Sequence, residues 1–313
     1  MKIKGILISS IAVFEDHIAN GGEKLLGNAS SIKRRPDGRV YVSGQMQRHV
    51  LFSAIDRANR DDENKGETFV SNGDGVGNKI ELDIRADMGG FMHPSKGDYS
   101  GRRTAPLTVT PAVALDPSEV GRDLLIRLKQ NSQESDQKQA LATREFSEID
   151  FMHMNFFLDI STLGISKVFE YENEFHIKTK FFKHTNEAER LRRVKLFIEA
   201  TRAMNDYANQ ARNAVSGEPQ KILIIFDEKL SRKAARYFTA NDTEKTNILL
   251  ELKSRDAIYF LGDDTAGEVS VLDAYTKALS FITDTDNNLL YDPSEKDEKG
   301  GELIQTFSEV FDK

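Results

Sequence analysis

Between Arg39 and Val50 the chain reads RVYVSGQMQRHV, with polar residues spaced to hold an anion. Residues 39–42 alternate as an extended segment, Ser43-Gly44 interrupts it, and the spacing predicts a helix from Gln45 to about Arg57. A strand that stops and feeds straight into a helix leaves backbone N–H groups at the positive end of the helix dipole, where phosphate binds. At about 100° per residue, Met46, Val50, Leu51, Ala54 and Ile55 share one half-turn arc, while Gln45, Arg48 and His49 crowd the other side. Those three can donate to phosphate oxygens, and Arg34 and Arg35 lie just upstream, an arrangement suited to a single-stranded backbone. The same residues have a plainer reading, because Ser-Gly helix starts are common and a run such as Lys33-Arg34-Arg35 is most often a solvated loop tip.

Other chemistries find less support. The chain has no cysteine, which excludes disulfides, thiolate zinc sites and a cysteine nucleophile and fits a reducing compartment. Its six histidines, His17, His49, His93, His153, His176 and His184, show no metal-binding spacing. No G-x-S-x-G or GxxxxGK[ST] occurs, and GDGVGNK reads as a flexible turn. DTDNNLLYDPSE sets Asp284, Asp286, Asn288, Asp292 and Glu295 at the ligand positions of a calcium loop. Leu289 stands where that loop needs glycine, however, and Pro293 sits inside it, so a solvated acidic tail is the stronger reading. No metal or cofactor is expected.

Strands and helices interleave, without an internal repeat. Residues 3–14 read as a strand rather than a signal peptide, and no apolar run is long enough for a membrane span. Lys79–Arg85 alternates as a strand, LTVTPAVAL leads to a helix near 117–129, and the polar stretch to about 148 reads as a mobile insertion. In FMHMNFFLDI, Met152, Met154, Phe156, Leu158 and Ile160 form a core face. Phe151, His153, Asn155, Phe157 and Asp159 form the other, either a base-stacking platform or a face covered by a second layer. A hairpin is expected near 166–171 and 174–180, a long amphipathic helix over about 186–209, a strand at KILIIFDE and a helix at 267–282. NILLELKSR fits strand or helix. The alternation points to an α+β or split βαβ fold.

The net charge of −7 argues against a polyanionic partner until it is located. Nine acids against three lysines give residues 284–313 a charge of −6, whereas Lys24, Lys33, Arg34, Arg35, Arg39 and Arg48 against Asp37 give residues 24–48 a charge of +5. A local basic footprint matters more than the total.

GRVYVSGQMQRHVLFSAI resembles the signature of DevR-type CRISPR-associated proteins, the repeated backbone subunit of type I (I-B-like) Cascade complexes in the RAMP superfamily. NGGEKLLGN, ADMGGFM, RRTAPLTVTPAVAL, FFLDISTLG and ANQARNAVSGEPQKILI follow the family in the same order, over roughly residues 1–230. The resemblance implies a modified RRM-like (ferredoxin-like) palm spanning residues 1–313, with a finger or web insertion at 60–105, a thumb at 112–147 and an acidic tail at 284–313. It implies RNA contacts from Asn28, Lys33, Arg34, Arg35, Ser43, Gln45, Arg48 and His49, apolar base contacts from Phe91 and Met92, and backbone contacts from Arg102 and Arg103. Relatives often carry a basic pair where this chain has Arg48 and His49. Related subunits of another CRISPR type cut RNA with a loop aspartate, but Asp37 sits in RPDGR, which is turn chemistry.

The function implied is a non-catalytic, cytoplasmic guide-RNA scaffold. It would assemble with copies of itself and other Cascade subunits and present the guide for pairing with target DNA, without a membrane partner. The rivals are a RAMP-family endoribonuclease using His17 or His49 as general acid/base, and a calcium-dependent interaction protein resting on 284–295.

Overall fold

A computed structural model of the chain describes residues 1–21, 23–24, 29–73, 77–94, 100–128, 139–211, 213–266, 268–283, 289–296 and 304–311. The first strand, β1 (Gly5–His17), is followed by the short strands β2 (Glu23–Lys24), β3 (Ala29–Ser31) and β4 (Tyr41–Val42) and then by helix α1 (Gly44–Asp61). Helix α2 (Ile84–Gly89) and strands β5 (Phe91–Pro94) and β6 (Ser100–Arg103) precede β7 (Leu107–Val109) and β8 (Ala112–Ala114). A long hairpin, β9 (Val120–Leu128) and β10 (Gln139–Asp159), leads to a second one, β11 (Ile165–Glu172) and β12 (Phe175–Lys183). Then come α3 (Glu187–Ala200), β13 (Pro219–Asp227), α4 (Asp242–Ser254), β14 (Ile258–Asp263), α5 (Val271–Thr283) and α6 (Phe307–Phe311).

The central sheet has the split βαβ order. β1 lies between β13 and β10, antiparallel to both, and β7 and β8 continue along the other edge of β10. With α1 and α3 as crossovers this is a ferredoxin-like sheet, extended by β14 on β13. Its register follows from alternation: Ile6, Ile8, Ala12 and Phe14 of β1 face the same way as Met152, Met154, Phe156 and Leu158 of β10, all almost fully buried against α1, α3 and α5.

The other face of the sheet is covered. Leu7, Phe157, Leu223 and Ile225 pack under Ala234, Ile248, Leu252 and Ala257, supplied by a 3-10 turn at Lys233–Thr239, by α4 and by the turn after it. Of the two alternatives for the aromatic face of β10, the second layer covers most of it: Phe157 is 4% exposed, and His153 hydrogen-bonds Ser9 and packs edge-on to Phe238, while Phe151 stays 43% exposed. NILLELKSR therefore lies in a helix, α4.

Four expected elements differ. Residues 120–128 form a strand because their backbone pairs with residues 139–147 of β10, which leaves Leu124 and Ile126 exposed; the helix formers in this stretch suggested otherwise. Residues 139–148 are the start of β10 rather than a mobile insertion, and 129–138 lie outside the described residues. The alternation over Lys79–Arg85 is overridden by Asp83, whose carboxylate accepts from Ser71 N and Arg85 N and caps α2. The helix expected to 209 stops at Ala200, where Thr201 caps it and a run of turns follows.

Candidate nucleic-acid interface

The start of α1 is built by its own sequence. Ser43 is extended (φ −60°, ψ 149°), and its Oγ accepts from Met46 N at 3.2 Å while its own N–H donates to Asn20 Oδ1 at 3.1 Å. The first helical turn holds no acid, so the positive end of the dipole is uncompensated within α1. Gly44 lets strand β7 pass close by: a Cβ there would lie a tight 3.1 Å from Val109 O. Gln45 and His49 are exposed, Ser43 and Arg48 are half-buried, and Gln47 turns inward to accept from Tyr207.

Gly44, Gln45, Arg48 and His49 line a cleft of about 880 Å³ between α1, the turn before α2 and the segment leading into β7. Arg48 donates to Gly89 O and lies over the Phe52 ring at 5.6 Å; Arg85 lies over the same ring at 4.8 Å and donates to Ser71 O at 2.8 Å. Burial and the neighbouring Arg85 charge pull the Arg48 guanidinium below its ordinary pKa. Gly90, at φ 65°, closes one wall where a Cβ would strike Arg103 O. The described lining residues include no Asp or Glu. Two guanidiniums, amide side chains and a helix start, with no acid among the described lining residues, are groups suited to attract an anion.

The upstream loop is held beside this junction. Tyr41 N donates to Lys33 O, and Asp37 closes the turn by accepting from the Arg39 backbone and guanidinium, which hold its carboxyl below the usual range. Arg34 is exposed but sits 3.5 Å from Glu145, while Lys33 and Arg35 are half-buried. Asn28 lies outside the described residues, as do the side chains of Met92 and Arg102. Phe91 packs edge-on to Phe307 at 5.1 Å.

The Arg103 guanidinium is directed into the fold rather than into the cleft. It is 8% exposed, and its donors go to Asp87, Thr162 O, Ile165 O and Ser166 Oγ. Arg85 and Asn72 are lining residues that sequence reasoning missed; the signal for Arg85 was Asp83 two residues before it, a helix cap read as part of a strand.

His17 is completely buried and pairs with Asp150 at 2.7 Å, while Ser118 Oγ donates to the other carboxylate oxygen. The hydroxyl meets the carboxylate rather than the imidazole, so this trio joins the hairpin root to the palm and does not activate a nucleophile. At the suspected calcium loop Asp284, Asp286 and Asn288 lie outside the described residues, and Asp292 is paired with Lys183 at 2.5 Å. No cluster of metal-ligating side chains occurs among the described residues.

A family described as "CRISPR-associated negative auto-regulator DevR/Csa2" matches residues 8–215. Two solved structures share the fold: a "CRISPR RNA-guided surveillance complex" chain at TM-score 0.54 and 14% identity, covering 88% of this chain and 99% of that one. The second, "CRISPR RNA-guided surveillance complex, pre-nicking", aligns at TM-score 0.53 and 12% identity, covering 89% and 100% respectively. No match was found among the curated proteins.

Proposed function

The chain belongs to the CRISPR-associated DevR/Csa2 family, and from that premise we propose that it is a non-catalytic scaffold that binds guide RNA within a Cascade-like complex. The observation that carries this reading is the cleft at the start of α1, lined by Arg48 and Arg85 with no Asp or Glu among its described lining residues, in a chain of net charge −7. Phosphate oxygens are held by the Gln45 amide, His49, Arg48 and Arg85, with Ser43 shaping the helix start and Lys33, Arg34 and Arg35 extending the basic track. An open RRM sheet stacks bases on its free face; here that face is occupied by the protein's own second layer, which favours RNA at the edge instead.

The excursion between α1 and β7 acts as the finger-like insertion. The β9–β10 hairpin acts as the thumb, and its exposed Leu124 and Ile126 suit contact with a neighbouring copy. Copies align along one RNA in the cytoplasm, beside other Cascade subunits, and base pairing supplies recognition of target DNA. The endoribonuclease alternative loses His17, which is buried and committed to Asp150.

The test is RNA affinity by fluorescence anisotropy across a salt series. Replacing Gln45 and Arg48 together by Ala is expected to weaken binding of guide-length RNA about tenfold or more, and to lower the salt slope by about 1 for each phosphate no longer neutralised. Unchanged affinity refutes the proposed grip.

A further inference from the structure

The β11–β12 hairpin stands out from the palm as a two-stranded ribbon with much apolar surface in water: Phe169 is 46% exposed, Tyr171 59% and Phe175 76%. Its turn is tight, with positive φ at both Asn173 (49°) and Glu174 (69°), the backbone of a type I′ connection whose twist matches the strands. The ribbon is sided. On one face the register pairs Lys167 with Phe181, Phe169 with Thr179 and Tyr171 with His176. That face holds no carboxylate. On the other face Glu170 sits across from Lys178 and is ion-paired with Lys180, while Glu172 sits across from Phe175 beside the turn.

The rings on the acid-free face meet His176 edge-on: Phe169 at 5.5 Å and 74°, Tyr171 at 5.9 Å and 67°. An edge-to-face contact covers at most one face of a ring, and with Phe169 46% and Tyr171 59% exposed each ring keeps surface for a planar partner. Aromatic faces beside an exposed lysine, without acids, are what unpaired bases stack on. The root of β11 is tied to the palm by Arg103, which donates to Ile165 O and Ser166 Oγ.

We infer that this face of the hairpin is a stacking ladder for unpaired bases of the RNA strand that passes through the cleft at the start of α1. The inference rests on the proposed function of that cleft. It adds a second, stacking contact to the ionic one and assigns it to Phe169 and Tyr171, with Lys167 meeting the backbone.

The test uses the full chain and a single-stranded oligoadenylate of about 20 nucleotides, longer than one cleft can hold. Replacing Phe169 and Tyr171 together by Ala is expected to weaken binding about tenfold with an unchanged salt slope, because stacking releases no counterions. Phe169→Tyr with Tyr171→Phe, which keeps both rings, is expected to restore affinity. If the double Ala variant binds like the parent while the Gln45/Arg48 variant is weakened, the ladder is refuted and the cleft stands. If the ring variant is weakened and the Gln45/Arg48 variant is not, the strand does not run from cleft to hairpin and the inference fails with the cleft. A ring variant that keeps RNA affinity but loses self-association also overturns it, in favour of a protein interface.

Discussion

Asp87 shows how one carboxylate can orient an insertion. It is fully buried, accepts from Arg103 and Arg193 on separate elements, and takes the Gly164 amide at 3.0 Å on both oxygens. Burial by itself would push its carboxyl up, but the two guanidinium charges outweigh that and hold it down. Arg193 also bonds Ile80 O and Glu81 O, so Asp87 fastens the chain ahead of β5 to α3 and to the root of the second hairpin. Asp87→Ala would leave two buried cations short of their counterion and is expected to cost about 3–5 kcal/mol in urea unfolding. A decrease of under about 1 kcal/mol would mean that the arginines find other partners. The same network explains why Arg103 was misassigned: nothing in RRTAP distinguishes a cation aimed at RNA from one aimed at a buried acid sixteen residues earlier.

Elements were legible where a period was strong and ambiguous where tertiary pairing chose between two periods. The arc of Val50, Leu51, Ala54 and Ile55 fixed α1, and the alternation from Met152 to Leu158 fixed the centre of β10. VGRDLLIRL fits either period, and pairing with β10 decided it. The docking of the segment at 304–311 had no signal beyond Phe307 and Phe311. Gln305 N donates to Lys183 O, His184 Nδ1 donates to Gln305 O at 2.6 Å, and Phe307 packs with Phe91 and His184. Burial depresses the His184 pKa to about 4, and its Nε2 is buried without a partner. Because the folded value lies below the ordinary 6.5, the unfolded chain binds more protons between the two. This contribution is therefore complete above about pH 6.5 and is lost as pH falls toward 4, by about 3 kcal/mol at most. The melting temperature is expected to drop across that window, and to drop less in His184→Asn, which retains a donor but cannot charge; parallel curves would reject the assignment.

At the scale of the molecule, the charge is segregated, and on the proposed function this would let the chain hold RNA without clinging to every polyanion. Among the described residues no helix is long and apolar enough to cross a membrane. If copies line up along RNA, native mass spectrometry of complexes on synthetic RNAs of increasing length should show protein added in steps, and high salt should release it. One copy per RNA at every length would exclude the scaffold.

The sequence alone determined the interleaved α+β pattern, the two faces of β10, the Ser43 helix start and the basic stretch beside it, because each depends on residues within a few positions of one another. Only the tertiary structure decided that the aromatic face of the sheet is closed by α4, that Arg103 is spent on Asp87, and that Arg85 joins Arg48 over Phe52. Those outcomes depend on which distant segments meet, and local side-chain chemistry is the same whether a cation's partner is a carboxylate inside the fold or a phosphate outside it.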